Sequence, residues 1–129
     1  MEKTSGPWRI LLVEDEMLVA MLLEDMLAEA GHTIIGPLAR VDQAVEAAQQ
    51  QAPDIAILDV NVGGEEVYPV ADVLAARGIP FAFATGYGAQ GLDERWQHRP
   101  TLQKPFHRND LFAMVAELAS SRSCDTAGR

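Results

Sequence analysis

Only one cysteine, Cys124, occurs in the 129 residues, and it sits in a polar tail. An internal disulfide framework is thereby excluded, and a cysteine-based zinc site with it. Lysine is nearly as scarce: Lys3 and Lys104 are the only two, and Lys3 belongs to the N-terminal tail. Lys104 is therefore the one ammonium expected in the folded body. Positive charge is almost missing from residues 10–76, which hold thirteen acids against the single base Arg40, while residues 77–129 hold five acids and seven bases. The formal net charge is -9, and such a surface repels a phosphate backbone, which argues against direct nucleic-acid binding. No apolar run approaches the roughly 18 residues of a bilayer span, and residues 1–8 lack the hydrophobic stretch of a signal peptide. The expectation is a cytoplasmic chain without membrane contact.

What is present suffices for one core, since 48% of the residues are hydrophobic against 22% charged, in a chain of single-domain length. Residues 8–13 (WRILLV) form a nearly continuous apolar run, as in a strand buried on both faces of a parallel sheet. Glu14, Asp15 and Glu16 end it. Leu18, Leu22, Met26 and Ala30, with Val19, Leu23 and Leu27, then form a broad helical stripe that stops at Gly31. The unit repeats: HTIIG (32–36) reads as a second strand, and Val41, Ala44, Val45 and Ala48 as a second helix. DIAIL (54–58) is the third strand, with Asp59 at its end. Residues 61–66 (NVGGEE) are turn-like, and a third helix follows over 67–77 with Pro69 in its first turn. PFAFA (80–84) is the fourth strand, ending at Thr85. Residues 86–98 hold three glycines and predict at most a short helix. Residues 101–103 make a fifth strand before Lys104-Pro105, and Leu111, Met114, Val115 and Leu118 mark the last helix. The domain is expected over 8–119, between a flexible stretch at 1–7 and a disordered tail at 120–129.

Strands that alternate with helices through short connections imply a single α/β domain, a doubly wound (βα)5 unit around a parallel five-stranded sheet. In such sheets ligands bind outside the carboxyl ends of the strands. The polar residues fall there: Glu14 and Asp15 after the first strand, Asp59 after the third, Thr85 after the fourth, Lys104 after the fifth. Three carboxylates at one edge repel one another, so their pKa values rise or a cation joins them. Mg2+ suits them, being a hard ion that takes oxygen ligands and commonly shares its remaining positions with a phosphate. A phosphoryl group passing to a carboxylate needs its charge neutralised from several sides. Lys104 and Thr85 complete that set.

These landmarks, Glu14-Asp15 after ILLV, Asp59 after IAIL, Thr85 in FAT and Lys104-Pro-Phe, make the chain resemble a receiver domain of two-component response regulators over nearly its whole length. Residues 80–88 (PFAFATGYG) further resemble the FAT GUY subgroup. The resemblance implies the flavodoxin-like strand order 2-1-3-4-5 and a stand-alone receiver, a signalling protein and not an enzyme beyond slow loss of its own phosphoryl group. It implies Asp59 as the acceptor of a phosphoryl group from a histidine kinase, with Asp15 as a direct Mg2+ ligand. Glu14 would hold a metal-bound water, and Asn61 would offer its backbone carbonyl. Thr85 would bond the phosphoryl oxygens, and Lys104, on a cis bond to Pro105, would pair with them. Output would run in trans, through a downstream protein target or phosphorelay partner.

Three positions depart from the family pattern. Glu14 stands where the first acid is usually Asp. The usual Met-Pro turn after Asp59 is replaced by Asn61-Val-Gly-Gly, which predicts a more flexible loop. Thr101 stands where an aromatic switch residue is expected, and Tyr87 or the glycine-rich segment after it is the substitute the sequence offers. A flavin or nucleotide module on the same fold is disfavoured, because Glu14-Asp15-Glu16 occupies the turn where such modules present phosphate-binding amides. A receiver-shaped interaction module that acts without phosphorylation is the remaining alternative.

Overall fold

The computed structural model describes residues 7–86 and 92–127, with side chains described as far as residue 121. In chain order the elements are β1 (Arg9–Val13), α1 (Met17–Glu29), β2 (Thr33–Leu38), α2 (Val41–Gln50), β3 (Ile55–Asp59), β4 (Asn61–Val62), β5 (Glu65–Glu66), α3 (Tyr68–Ala76), β6 (Phe81–Thr85), a 3-10 turn (Glu94–Trp96), β7 (Thr101–Gln103) and α4 (Arg108–Ala127). The main sheet is ordered β2-β1-β3-β6-β7, and every pairing in it is parallel. Setting aside the β4–β5 hairpin, this is the expected order 2-1-3-4-5. The chain leaves β1 toward one edge and returns to build the other, so the winding reverses between β1 and β3.

Strand alternation divides the core in two. Leu11, Val13, Ala56, Leu58, Phe81 and Phe83 face α2, α3 and Trp96 of the 3-10 turn. Ile10, Leu12, Ile55, Ile57, Ala82, Ala84 and Leu102 face Leu23 and Leu27 of α1 and Leu111, Met114, Val115 and Leu118 of α4. Adjacent residues thus serve opposite layers, which is why the strands read as unbroken apolar runs.

Four local features differ from the sequence reading. The apolar stripe of α1 is wider than the sheet can cover: Ala20, Leu23 and Leu27 are buried, while Met17 and Leu18 are 74% and 82% exposed and Met21 and Leu22 about half exposed. Strand β2 continues past Gly36 to Leu38 as an edge strand, where a proline is tolerated. A Cβ on Gly36 would lie 2.8 Å from the Leu12 carbonyl oxygen and 2.7 Å from the Leu38 nitrogen, so this irregular pairing between β1 and β2 requires glycine. The segment after Asp59 is a hairpin, with Asn61 opposite Glu66 and Val62 opposite Glu65. Gly63 and Gly64 have φ of 60° and 83°, the left-handed pair that a two-residue hairpin turn demands. Finally, α4 runs to Ala127, beyond the tail boundary expected at 119, because no glycine or proline interrupts residues 106–127. Residues 1–6 of the expected N-terminal stretch lie outside the described residues, and so do Tyr87 and residues 88–91 after it. Between β6 and β7 the described residues contain only the 3-10 turn, in keeping with the short element expected there. None of the described helices is long and apolar enough to cross a membrane.

Candidate functional site

Parallel pairing brings the carboxyl ends of β1, β3, β6 and β7 to one edge. Val13 lies opposite Leu58, Asp59 opposite Ala84 and Thr85 opposite Gln103, so residues just past each strand are neighbours. The irregularity in β2 lets the Glu14 amide donate to the Leu38 carbonyl at 2.9 Å, which turns the chain and buries the Glu14 side chain to 1% exposure. Its Oε1 accepts from Lys104 Nζ at 3.0 Å and its Oε2 from the Glu16 amide at 3.1 Å. Lys104 Nζ also lies 3.5 Å from Asp59 Oδ2. On the other strand end, the Lys104 amide donates to the Thr85 carbonyl at 2.9 Å, and the Lys104–Pro105 bond is cis. Thr85 itself is buried.

One carboxylate oxygen from each of Glu14, Asp15 and Asp59 falls within a 4.8 Å span. Burial pushes the Glu14 carboxyl from 4.5 up to about 7, against the pull of its Lys104 hydrogen bond, and the nearby Asp59 charge pushes the same way as burial. Burial also works against the Lys104 ammonium, but its hydrogen bond to Glu14 and the Asp59 and Glu14 charges outweigh that, holding its pKa above the usual lysine value. The pocket is therefore overcharged with carboxylate for a single ammonium. Three oxygen donors short of positive charge fit a hard divalent cation such as Mg2+.

Glu14, Asp15, Asp59 and Lys104 meet as side chains, and Thr85 joins them through its backbone. Asn61 opens β4 two residues beyond Asp59 and is exposed. Thr101, where an aromatic was expected, donates its hydroxyl to the Arg99 carbonyl at 3.2 Å. His32, immediately before β2, accepts the Trp8 amide on Nδ1 at 3.0 Å, and its partial burial lowers its pKa. Sequence reasoning missed two groups. Gly63 donates its amide to Asp15 Oδ2 at 2.9 Å, a contact signalled in the sequence only by the Gly-Gly pair. Tyr68, which packs edge-on against Phe83 with ring centres 6.1 Å apart, accepts the Asp93 amide on its hydroxyl at 2.7 Å, and no local pattern announces that pairing.

Comparison with known proteins agrees with this arrangement. Residues 10–116 match the family model described as response regulator receiver domain. PdtaR of Mycobacterium tuberculosis, a transcriptional regulatory protein, is 36% identical over 120 residues, covering 90% of this chain and 58% of its own length; the chain thus spans little more than half of that relative. The solution structure of SdrG from Sphingomonas melonis Fr1 is 43% identical with a TM-score of 0.76, covering 95% of this chain and 99% of that one. SdrG has also been described in a BeF3-activated conformation, 44% identical with a TM-score of 0.72 over 92% of this chain and 99% of that one. The receiver domain of the sensor histidine kinase PA1611 from Pseudomonas aeruginosa PAO1, with magnesium coordinated in its active-site cleft, is 25% identical with a TM-score of 0.79 over 89% of this chain and 99% of that one. The fold, the carboxylate cluster and the extent of these matches agree, and the chain belongs to the response regulator receiver domain family.

Proposed function

We propose that this receiver accepts a phosphoryl group on Asp59 from a histidine kinase and signals through a phosphorylation-dependent protein contact. The observation that carries this reading is the placement of Lys104 Nζ 3.5 Å from Asp59 Oδ2 beside a cluster of three carboxylates. An Asp59 carboxylate oxygen attacks the phosphorus of a phosphohistidine. The new P–O bond forms as the P–N bond breaks, and the electron pair of that bond returns to the imidazole, which takes up a proton. Lys104 pairs with the transferred oxygens, and the Thr85 hydroxyl donates to them. Glu14, Asp15, Asp59 and the Asn61 carbonyl would hold Mg2+, which when bound neutralises phosphoryl charge at this edge. Slow hydrolysis of the acyl phosphate would reset the protein, with a cytoplasmic kinase and a protein target or relay partner on either side of it. Titrating Mg2+ and then beryllofluoride while following backbone NMR shifts tests the reading. The expected result is a response centred on residues 14–15, 59, 85 and 104 that spreads toward residues 92–119. If neither ligand moves these signals in folded protein, the receiver acts as an interaction module without phosphorylation.

The phosphodonor must dock within reach of Asp59, and the exposed apolar face of α1 supports a place for it. Met17, Leu18, Met21 and Leu22 are exposed on consecutive turns of a helix that starts two residues after Asp15. An apolar patch beside an active site marks a contact surface. Leu18→Glu is therefore expected to slow transfer from the cognate kinase at least about tenfold, the cost of a charge set in an apolar contact. Labelling by the small donor acetyl phosphate, which needs no docking, stays within about twofold of wild type. Equal loss with both donors would show that the substitution damaged the site and not the docking face.

A further inference from the structure

We infer that the main-chain amide of Gly63 is a positioning group that fixes the Asp15 carboxylate for cation binding, an inference that rests on the metal site proposed above. Asp15 is exposed, and a solvent-facing carboxylate on its own samples several rotamers, most of which aim no oxygen at Glu14 and Asp59. The Gly63 amide donates to Asp15 Oδ2 at 2.9 Å across 48 residues of sequence. That bond fixes the orientation of the carboxylate, one oxygen of which belongs to the cluster with Glu14 and Asp59.

The donor is itself held from both sides. Val62, the residue before it, is 1% exposed and packs in the core with Val60 and Val67. The Val67 amide donates to the Val60 carbonyl at 2.8 Å, closing the base of the hairpin. At the tip, the left-handed backbone of Gly63 and Gly64 turns the Gly63 amide away from the strand ladder and toward Asp15. The hairpin begins two residues after Asp59, so nucleophile and positioning amide ride on one short stretch of chain. A flexible loop here, as the glycines alone suggest, would leave Asp15 unheld; outer donors of this kind typically change metal affinity about 10–100-fold when removed.

Gly63→Pro removes the donor and, because its ring holds φ near about −65° where Gly63 has 60°, also unmakes the turn, whereas Gly63→Asn keeps both the amide and a residue that tolerates the left-handed turn. A Cβ at this position would meet only the Ala39 carbonyl oxygen, at an ordinary 3.5 Å. Mg2+ dissociation constants are read from NMR titrations, with thermal melts in chelator as the control. The expected result is affinity about tenfold weaker for Gly63→Pro and within about twofold of wild type for Gly63→Asn, with the melting temperature of Gly63→Asn close to wild type and that of Gly63→Pro lowered by the lost turn. Wild-type affinity in folded Gly63→Pro overturns the inference while leaving the metal site standing. No Mg2+ response in the wild type itself overturns both. Should Gly63→Pro not fold, Gly64→Val forces the same turn out of its left-handed backbone. Loss of Gly63 amide protection from exchange must then come with loss of Mg2+ affinity, and either one without the other overturns the inference.

Discussion

Asp59→Asn protein is expected to take up no phosphoryl group, with labelling from a kinase or from acetyl phosphate falling at least about a thousandfold, to background. An amide oxygen carries no full negative charge and makes no stable acyl phosphate, so the chemistry is lost and not merely slowed. The fold should survive, because Asn matches Asp in shape and the Asp59 side chain is 14% exposed. Lys104 keeps its closer partner, Glu14 Oε1 at 3.0 Å. Glu14 in turn loses a neighbouring like charge that pushes its pKa upward. In chelator the variant should therefore melt at or slightly above the wild-type temperature, and its Mg2+ affinity should drop with one of three carboxylates gone. Labelling that persists in Asp59→Asn would move the acceptor to another residue and remove the basis of the proposed function.

That Asp59, Glu14, Asp15, Thr85 and Lys104 converge was legible in the sequence, because each follows a buried apolar run and parallel strands bring their carboxyl ends to one edge. The helices were legible from spacing where a single face is apolar, as in α2, with Val41, Ala44 and Ala48 buried. In α1 apolar residues surround most of the helix, so period alone does not say which of them the sheet covers. The glycines of the hairpin at 61–66 point by themselves to a flexible loop, because glycine permits both order and disorder. Its order rests on Val62 in the core and on Asp15, partners distant in sequence. The Glu14–Lys104 contact spans 90 residues, and only the folded register shows that Lys104 sits nearer Glu14 than Asp59.

Lys104→Met is expected to destabilise the metal-free protein in a way that grows with pH. Folded Glu14 holds its proton up to about pH 7, against 4.5 for the ordinary group. Across that window the folded chain binds a proton the unfolded chain has shed, so stability falls as pH rises. In the wild type the fall ends near pH 7, where Glu14 ionises against the Lys104 ammonium. Without that ammonium, a carboxylate at 1% exposure has no cation to face among the described residues, its pKa climbs further, and the window extends upward. At about pH 6 Glu14 is largely protonated in both proteins, and the deficit is small. By about pH 8.5 the variant should trail by roughly 2 kcal/mol, since each further unit of pKa is worth about 1.4 kcal/mol. Urea unfolding in chelator at the two pH values measures the difference. Mg2+ should restore part of the loss at the higher pH by supplying positive charge to the same carboxylates. Beryllofluoride should still fail to spread shifts beyond the site, because the phosphoryl oxygens lack their ammonium partner. A deficit of equal size at both pH values would mean that Lys104 stabilises the fold through its packing and not through Glu14.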